Sequence, residues 1–269
     1  MATANNYLME HEEESYRLDI KTDPKSVQQQ ALWAGIQPGM RVADLGCGPG
    51  KTSYFLNKLV KPDGETVGID NSEQRIAYAK KKYQDGKLNF ELGDIRQDLS
   101  LFGKFDFIWM RFVLEFYRST GFELVKKVIS LLNPGGIICL IDLDYNCLTH
   151  YGLPRKLAAS IQGVIHQLEK KAEFDPFAGR KLYTYLYDLG LADIEVTMAP
   201  HHLIYGELKD VDAYNWTKKV EEAGKNSGYR FDDFEGGYNE FFREFKKAFK
   251  DPRRFTYTPV IACCGKMRK

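Results

Sequence analysis

Long hydrophobic runs are missing from this chain of 269 residues, although 43% of its residues are hydrophobic. A membrane-spanning helix needs roughly 18 consecutive apolar residues, and no stretch of the sequence comes near that length. The first residues form neither a basic nor an apolar targeting segment. We therefore expect a cytoplasmic protein that does not span a membrane.

An excess of charge is also missing, because the formal net charge at pH 7 is only +1. Without a strong positive field, the chain is not expected to bind nucleic acid. The five cysteines match no spacing of a metal site, so we expect reduced thiols and no metal. Cys263 and Cys264 are adjacent, and on a strand one thiol would face the core and the other the surface.

The most informative segment that is present has the sequence VADLGCGPG and spans residues 42–50. It places Asp44 at the end of an apolar strand, directly before a glycine-rich turn where a ligand can lie against the main chain. Dinucleotide sites instead present bare amides and a helix N-terminus to a pyrophosphate. A carboxylate at this point therefore favours a cationic ligand without phosphates.

The glycine turn has three other interpretations, which its spacing helps to separate. A phosphate-binding P-loop also ends in Gly-Lys-Thr, as Gly50-Lys51-Thr52 does, but it needs four residues between its two glycines, and only three follow Gly46 here. The nicotinamide fingerprint G-x-G-x-x-G is one residue longer than the G-x-G-x-G of this chain. The third interpretation is a turn that binds nothing and whose glycines serve tight packing.

Two further strands are predicted to end in carboxylates. Residues 67–70 form an apolar strand that ends in Asp70, about 20 residues beyond the glycine turn, where an acidic residue reaches ribose hydroxyls. Residues 88–95 contain a short alternating strand that closes on Asp94. Each aspartate can also have a purely structural role. Asp70 can cap the helix that follows it, and Asp94 can accept a hydrogen bond from the backbone of its own turn.

The glycine turn and the two strands that end in carboxylates follow one another as the motifs of class I S-adenosylmethionine-dependent methyltransferases do, and the chain resembles this family. Within the family it is similar to the members that methylate small molecules, such as those of quinone biosynthesis. The recognisable motifs cover residues 26–144. The resemblance implies S-adenosylmethionine as the cofactor, with Asp94 on the adenine amino group and Ile95 on the adenine ring. The implied cofactor-binding residues are Asp44, Gly46, Cys47, Gly48, Asp70, Asn71, Asp94, Ile95 and Arg111.

Arg111 follows a predicted central strand, residues 105–110, whose tip borders the cofactor in the family. The favoured interpretation of Arg111 is nevertheless an ion pair with Glu115 on a helix surface, since residues four apart are neighbours on a helix. The family often carries a histidine two residues after a leucine in this segment, whereas this chain has Leu114 and no histidine. No catalytic role is assigned to the segment.

Strands that alternate with helices imply a parallel sheet covered on both sides. With the resemblance, this pattern predicts a Rossmann-like α/β fold: a seven-stranded, mostly parallel sheet with an antiparallel last strand and helices on both faces. Residues 194–197 and 258–264 are the last two predicted strands. Helical inserts at about 145–180 and 207–252 are expected to cover the substrate side of a domain spanning residues 26–269, with residues 1–25 as a further cover.

The second insert is rich in aromatic rings, which either line an apolar pocket or pack its helices together. Basic residues interleave with these rings, and a helix with its charged side in water explains the pattern better than RNA binding does. The rings in question are Tyr205, Tyr214, Trp216, Phe231, Phe234, Tyr238, Phe241, Phe242 and Phe245.

The resemblance implies transfer of a methyl group from S-adenosylmethionine to a small-molecule acceptor by in-line displacement. Such a reaction gains much of its rate from holding the acceptor at about 3 to 3.5 Å, so a conspicuous catalytic residue is not required. Glu115, Asp144, Tyr145 and His150 follow predicted strands, and nothing in the sequence selects a base among them. The alternatives are a methyltransferase of RNA or protein, a cofactor-binding protein without transfer activity, and a nucleotide-binding protein.

Overall fold

Eight strands form one sheet in the part of the protein that the computed structural model describes, residues 13–145 and 150–268. In chain order they are β1 (Arg41–Leu45), β2 (Glu65–Asp70), β3 (Leu88–Leu92), β4 (Phe105–Arg111), β5 (Leu132–Leu143), β6 (His150–Tyr151), β7 (Ala192–Ile204) and β8 (Phe255–Lys266). The sheet order is β3-β2-β1-β4-β5-β8, and β7 lies on the far side of β8. The first five strands are parallel, and β8 is antiparallel to β5 and β7.

Helices follow most of the strands, as expected for this class of fold. In the same described residues they are α1 (Glu14–Lys21), α2 (Pro24–Trp33), α3 (Lys51–Val60), α4 (Glu73–Lys82), α5 (Gly121–Ile129), α6 (Arg155–Lys171), α7 (Leu182–Asp188), α8 (Asp210–Asn226) and α9 (Gly237–Phe249). None of these helices is long and apolar enough to cross a membrane.

Apolar stripes on the helices cover both faces of the sheet. On one face α5 and α7 contribute Val125 and Leu182, which are fully buried. On the other face α2 and α3 contribute Val27 and Leu56, which are also fully buried. Burying a side chain of this size stabilises the fold by about 1.5 to 3 kcal/mol. The predicted Rossmann-like α/β fold, mostly parallel with an antiparallel last strand, is confirmed.

The described sheet has one strand more than the seven predicted. β6 is only two residues long and pairs with Phe255 and Thr256 at the beginning of β8. β5 pairs with β8 only from Val260 to Lys266. β6 lies along the same edge of β8 and pairs with the residues at its beginning, which β5 does not reach. The eighth strand was not predicted because two residues are too few to show an alternating pattern.

β8 corrects the prediction for its two adjacent thiols. Cys263 and Cys264 are both buried, with exposed fractions of 0% and 6%. The two side chains belong to the apolar clusters on opposite faces of the sheet. The prediction of one surface thiol was wrong because this strand lies inside the domain, where both of its faces are covered.

The two inserts build a third apolar cluster, separate from the two that cover the sheet. Helices α6, α8 and α9 pack together through Leu157, Ile161, Trp216, Phe241 and Phe245. Most aromatic rings of the second insert take part in this packing or lie at its margin. Packing of helices is therefore the main role of those rings.

The first helix, α1, lies beside α4 and α8. Arg17 of α1 donates hydrogen bonds to Glu14 at 2.7 Å and to Asn215 of α8 at 2.6 Å. These contacts tie α1 to the second insert. Residues 1–12 of the predicted cover segment lie outside the described residues, and the division of the chain near residue 25 stays a prediction.

Candidate functional site

A cavity that is partly open to solvent lies at the carboxyl ends of β1, β2, β3 and β4. Parallel α/β sheets bind ligands at this edge, because the loops that follow the strands meet there. Of the nine residues predicted to bind a cofactor, only Asp44 does not line the cavity. The residues that do are Gly46, Cys47, Gly48, Asp70, Asn71, Asp94, Ile95 and Arg111.

The glycine turn after β1 forms part of the cavity wall. Gly46 has a φ of 75° and Gly50 a φ of 87°, values that residues with a Cβ rarely adopt. A Cβ on Gly46 would lie 2.5 Å from Val113, and one on Gly50 would lie 2.7 Å from Phe90. The shape of the turn therefore requires glycine at both positions.

Asp70, the last residue of β2, is 7% exposed and fixes the glycine turn in place. One carboxylate oxygen accepts a hydrogen bond from the Gly48 amide at 2.9 Å. The other oxygen accepts from the Arg75 Nε and from the Ser72 amide, both at 3.0 Å. Because an ionised carboxylate offers about four acceptor positions, Asp70 retains capacity for a ligand.

Asp94 follows β3 and is held by Arg96, which donates from Nε at 2.9 Å and from Nη2 at 2.6 Å. Partial burial opposes ionisation, but the hydrogen bonds from Arg96 outweigh it and lower the pKa of Asp94. The carboxylate is therefore ionised at neutral pH and acts only as an acceptor. Ile95 beside it is buried, so an acceptor and an apolar surface are adjacent in the wall.

Asp44 ends up behind the glycine turn rather than in the cavity wall. It is 2% exposed, and its carboxylate accepts a hydrogen bond from the Ser53 Oγ of α3 at 2.6 Å. Burial raises the pKa of Asp44 to about 7. The carboxylate of Asp44 is thus bonded to α3 and does not line the cavity.

Arg111 is the last residue of β4, and its guanidinium stacks on the Phe112 ring with 4.1 Å between Cζ and the ring centroid. Burial lowers the pKa of Arg111 to about 10, although the nearby Asp44 carboxylate favours the charged form. Glu115 is buried in a short 3-10 helix that begins only at residue 114. The favoured interpretation, a pair on a helix surface, was wrong, because Arg111 lies on a strand and the chain turns at Phe112, where φ is 59°.

Helix α1 supplies cavity residues that the sequence motifs did not identify. Leu18, Lys21 and Thr22 line the cavity next to the glycine turn. Lys51, the lysine that directly follows the turn, donates a hydrogen bond to the carbonyl oxygen of Asp19 at 2.7 Å. This lysine therefore holds α1 against the site, which argues against the P-loop interpretation, where it would contact phosphates.

The family model described as a methyltransferase domain matches residues 36–190, more than half of the chain. The chain belongs to this methyltransferase family. The predicted resemblance to class I methyltransferases is confirmed.

Two curated relatives of this methyltransferase-family chain match parts of it. A demethylmenaquinone methyltransferase of Lactococcus lactis is 29% identical over 138 residues, which are 47% of this chain and 54% of the relative. A trans-aconitate 2-methyltransferase of Variovorax paradoxus is 32% identical over 141 residues, 52% of each chain. The chain thus spans about half the length of these relatives.

A solved structure with the same fold is phosphoethanolamine N-methyltransferase 2 of Haemonchus contortus, in complex with phosphomonomethylethanolamine and S-adenosylhomocysteine. The TM-score is 0.61 and the sequence identity 12%, and the match covers 100% of this chain and 61% of the other. At this identity the likeness concerns the methyltransferase fold alone.

A second cavity adjoins the first in this member of the methyltransferase family. Lys21, Glu115 and Phe116 line both cavities, so the two spaces meet at these residues. The helices of the two inserts supply most of the remaining wall, through α6 and α8. Of the aromatic rings considered for a pocket, Phe241 is the one that lines this cavity.

The four candidate bases separate into two groups. Glu115 and His150 line the second cavity, and Glu115 also lines the first. Asp144 and Tyr145 line neither of them, and Asp144 accepts a hydrogen bond from Arg180 at 2.8 Å. The structure therefore places Glu115 where the two cavities meet.

Proposed function

We propose that this protein transfers a methyl group from S-adenosylmethionine to a small-molecule acceptor by in-line displacement. The observation that carries the proposal is the position of Asp70 and Asp94 on one cavity wall, beside the glycine turn. Both are acceptors, and a ribose diol and an adenine amino group are donors. A positively charged nucleoside fits this wall better than a nucleoside phosphate, which would need free amides and cations.

Each part of S-adenosylmethionine has a matching partner in the first cavity. Asp70 would accept hydrogen bonds from the ribose hydroxyls, Asp94 would accept them from the adenine amino group, and Ile95 would pack on the adenine ring. The backbone of the glycine turn would lie against the methionine part, with the buried Arg111 guanidinium near its carboxylate. Bound in this way, S-adenosylmethionine supplies an electrophilic methyl group.

The protein itself contributes to the reaction by positioning the methyl acceptor against the cofactor. Lys21, Glu115 and Phe116 mark the junction through which an acceptor in the second cavity meets the first. An acceptor atom held at about 3 to 3.5 Å from the methyl carbon, in line with the sulfur, reacts as if both partners were one molecule. Helix α1 and the inserted helices surround this junction and limit the access of water.

Two observations support a small molecule as the methyl acceptor. The names of the two relatives contain demethylmenaquinone and trans-aconitate, which are small molecules. The second cavity is lined mainly by apolar side chains with a few polar groups, as small-molecule pockets are. Both observations favour a metabolite over RNA or protein as the acceptor.

Calorimetric titration with S-adenosylhomocysteine tests the cofactor site. We expect Asp70→Asn to bind about 10- to 100-fold more weakly than the wild type, since it keeps the shape of the side chain but loses a charged acceptor. Asp98→Asn is the matched control, because Asp98 accepts hydrogen bonds from Ser100 and lines neither cavity. Thermal unfolding of each variant verifies that it is folded. Equal affinity in both variants, or binding of ATP in place of the nucleoside, would contradict the proposal.

A second experiment addresses the transfer itself. The protein is incubated with methyl-labelled S-adenosylmethionine and separate pools of metabolites, RNA and protein. We expect label in the metabolite pool. Label only in RNA or protein would overturn the acceptor class, and binding without label in any pool would identify a cofactor-binding protein without transfer activity.

A further inference from the structure

The beginning of β8 carries aromatic side chains on its exposed face. Thr256, Thr258 and Val260 lie on one face of this strand and are buried. Phe255 and Tyr257 alternate with them on the other face and are exposed. A strand with one buried face usually carries polar residues on the face that meets water. Here two rings occupy positions where polar side chains are expected.

The strands on both sides of β8 extend this exposed surface. Tyr151 of β6 pairs with Phe255, and Leu203 of β7 pairs with Tyr257. Tyr205, directly after β7, stacks on Phe255 with 6.5 Å between the ring centroids. Residues that pair across neighbouring strands share a face of the sheet, so these side chains form one continuous surface.

Met198 continues this surface along β7, because it pairs with Ile261, which lies on the same face of β8 as Tyr257. We call the whole surface the aromatic face and define it by six exposed side chains: Tyr151, Met198, Leu203, Tyr205, Phe255 and Tyr257.

The area of the aromatic face is large for a surface that meets only water. Its six residues are between 40% and 77% exposed. At about 200 Å² for each large side chain, the exposed parts come to roughly 600 Å². The largest apolar patch of a monomer usually measures about 300 to 600 Å², and a standard interface buries about 800 Å² on each partner. With the polar residues around it, the aromatic face therefore has the area that a stable dimer needs.

The charges at the two ends of β8 are balanced rather than of one sign. Arg253, just before the strand, donates a hydrogen bond to Asp251 at 2.6 Å. Lys266, the last residue of the strand, donates one to Asp193 of β7 at 3.1 Å. An anionic membrane attracts clusters of unpaired basic residues, which these ion pairs do not provide. A second copy of the chain presents the same charges, and balanced pairs let two copies approach without repulsion.

We propose that the aromatic face binds a second copy of this chain, so that the protein is a homodimer with a two-fold axis through this face. A two-fold interface joins the same patch of both copies, and tyrosine, phenylalanine and methionine are enriched in the cores of interfaces. The inference goes beyond methyl transfer, because the residues of the aromatic face line neither of the two cavities described above.

Sedimentation of the protein over a range of concentrations tests this inference. Interfaces of this size have dissociation constants of about 1 μM or below, so we expect the wild type at about 50 μM to have twice the mass of a monomer. Leu203→Lys and Tyr205→Lys should each weaken the dimer by at least about tenfold, because each places two like charges in the interface, one from each copy.

The matched control is Leu32→Lys, which should dimerise as tightly as the wild type. Leu32 is 58% exposed and Leu203 is 51% exposed, so both substitutions replace a leucine that meets water. Leu32 lies on α2, which covers the opposite face of the sheet. Thermal unfolding verifies that each variant is folded.

The possible outcomes also name other partners. A wild type that stays monomeric at every concentration, or a dimer that neither Leu203→Lys nor Tyr205→Lys weakens, would overturn the inference. Monomeric protein that sediments with phosphatidylserine vesicles, and no longer does so in these two variants, would replace the second copy with a membrane surface. Affinity for S-adenosylhomocysteine, measured on the same samples, tests the proposed function independently of the dimer.

Discussion

Single glycines in the turn after β1 leave no room for a side chain. Gly50 has a φ of 87°, and a Cβ there would lie 2.7 Å from Ala79 and Phe90. Gly39 has nearly the same φ, 85°, but a Cβ on it would meet nothing within 4 Å. The two positions therefore separate the cost of backbone strain from the cost of crowding.

We expect Gly50→Ala to lower the free energy of unfolding by about 1 to 3 kcal/mol more than Gly39→Ala does. Both variants carry the cost of a Cβ at positive φ, whereas only Gly50→Ala also forces Phe90 and Ala79 to move. Urea denaturation of the two variants measures the difference. Equal losses would mean that the turn can relax and that close packing does not fix its shape.

The residues of the site differ in how far they could be predicted. Asp70 and Asp94 were found because each lies at the carboxyl end of a predicted strand, and chain order fixes where parallel strands end. The strand of Asp44 was also predicted, but its carboxylate is turned to Ser53 of α3, which no local pattern shows. Lys21 was missed because its position depends on the docking of α1, a contact between residues far apart in sequence.

Among the elements, β7 carries two adjacent histidines, of which His201 is partly exposed and His202 is buried. His201 packs against Phe112 with 4.6 Å between ring centroids, and His202 is 9% exposed. Burial lowers the pKa of both, and the cations Lys21 and Lys219 add to the effect on each. Both rings are therefore neutral at pH 7 in the folded protein.

These histidines make the fold less stable in acid. A histidine whose pKa is lower in the folded state than in the unfolded chain stabilises the fold above the unfolded pKa of about 6.5. As the pH falls below that value, the unfolded chain takes up protons that the folded state does not, and this stability is lost. The double variant His201→Gln, His202→Gln should therefore lose less free energy of unfolding between about pH 7.5 and about pH 5.5 than the wild type does.

The control for this prediction is His166→Gln, because the His166 side chain is 61% exposed. Denaturant unfolding at the two pH values should give the same pH dependence for this variant as for the wild type. If the double variant also keeps the wild-type pH dependence, the rings of His201 and His202 do not titrate on unfolding as described.

The lengths of the last strands could be predicted less well than their existence. β7 extends over Ala192–Ile204 and β8 over Phe255–Lys266, whereas residues 194–197 and 258–264 were predicted. The two strands pair along almost their whole length, with irregularities at two places. β7 is exposed on both faces over much of this length, so its sequence lacks the alternation that marks a half-buried strand.

For the whole molecule, alternation of strands and helices predicted the covered parallel sheet, and the family resemblance implied its antiparallel last strand. The second cavity could not be predicted, because it forms between α1, α6 and α8, which come from three separate parts of the chain. The near-neutral net charge of the whole chain gives no indication that basic side chains, such as Arg17 and Lys21, line this cavity. The proposed function assigns these two connected spaces to the nucleoside and to the acceptor.

The most direct test of this account is a crystal structure of the protein with S-adenosylhomocysteine. We predict that the ligand occupies the cavity at the carboxyl edge of the sheet, with its ribose hydroxyls and adenine amino group at about 2.7 to 3.2 Å from the carboxylates of Asp70 and Asp94. A ligand found elsewhere, or crystals that never take it up at saturating concentration, would contradict the account.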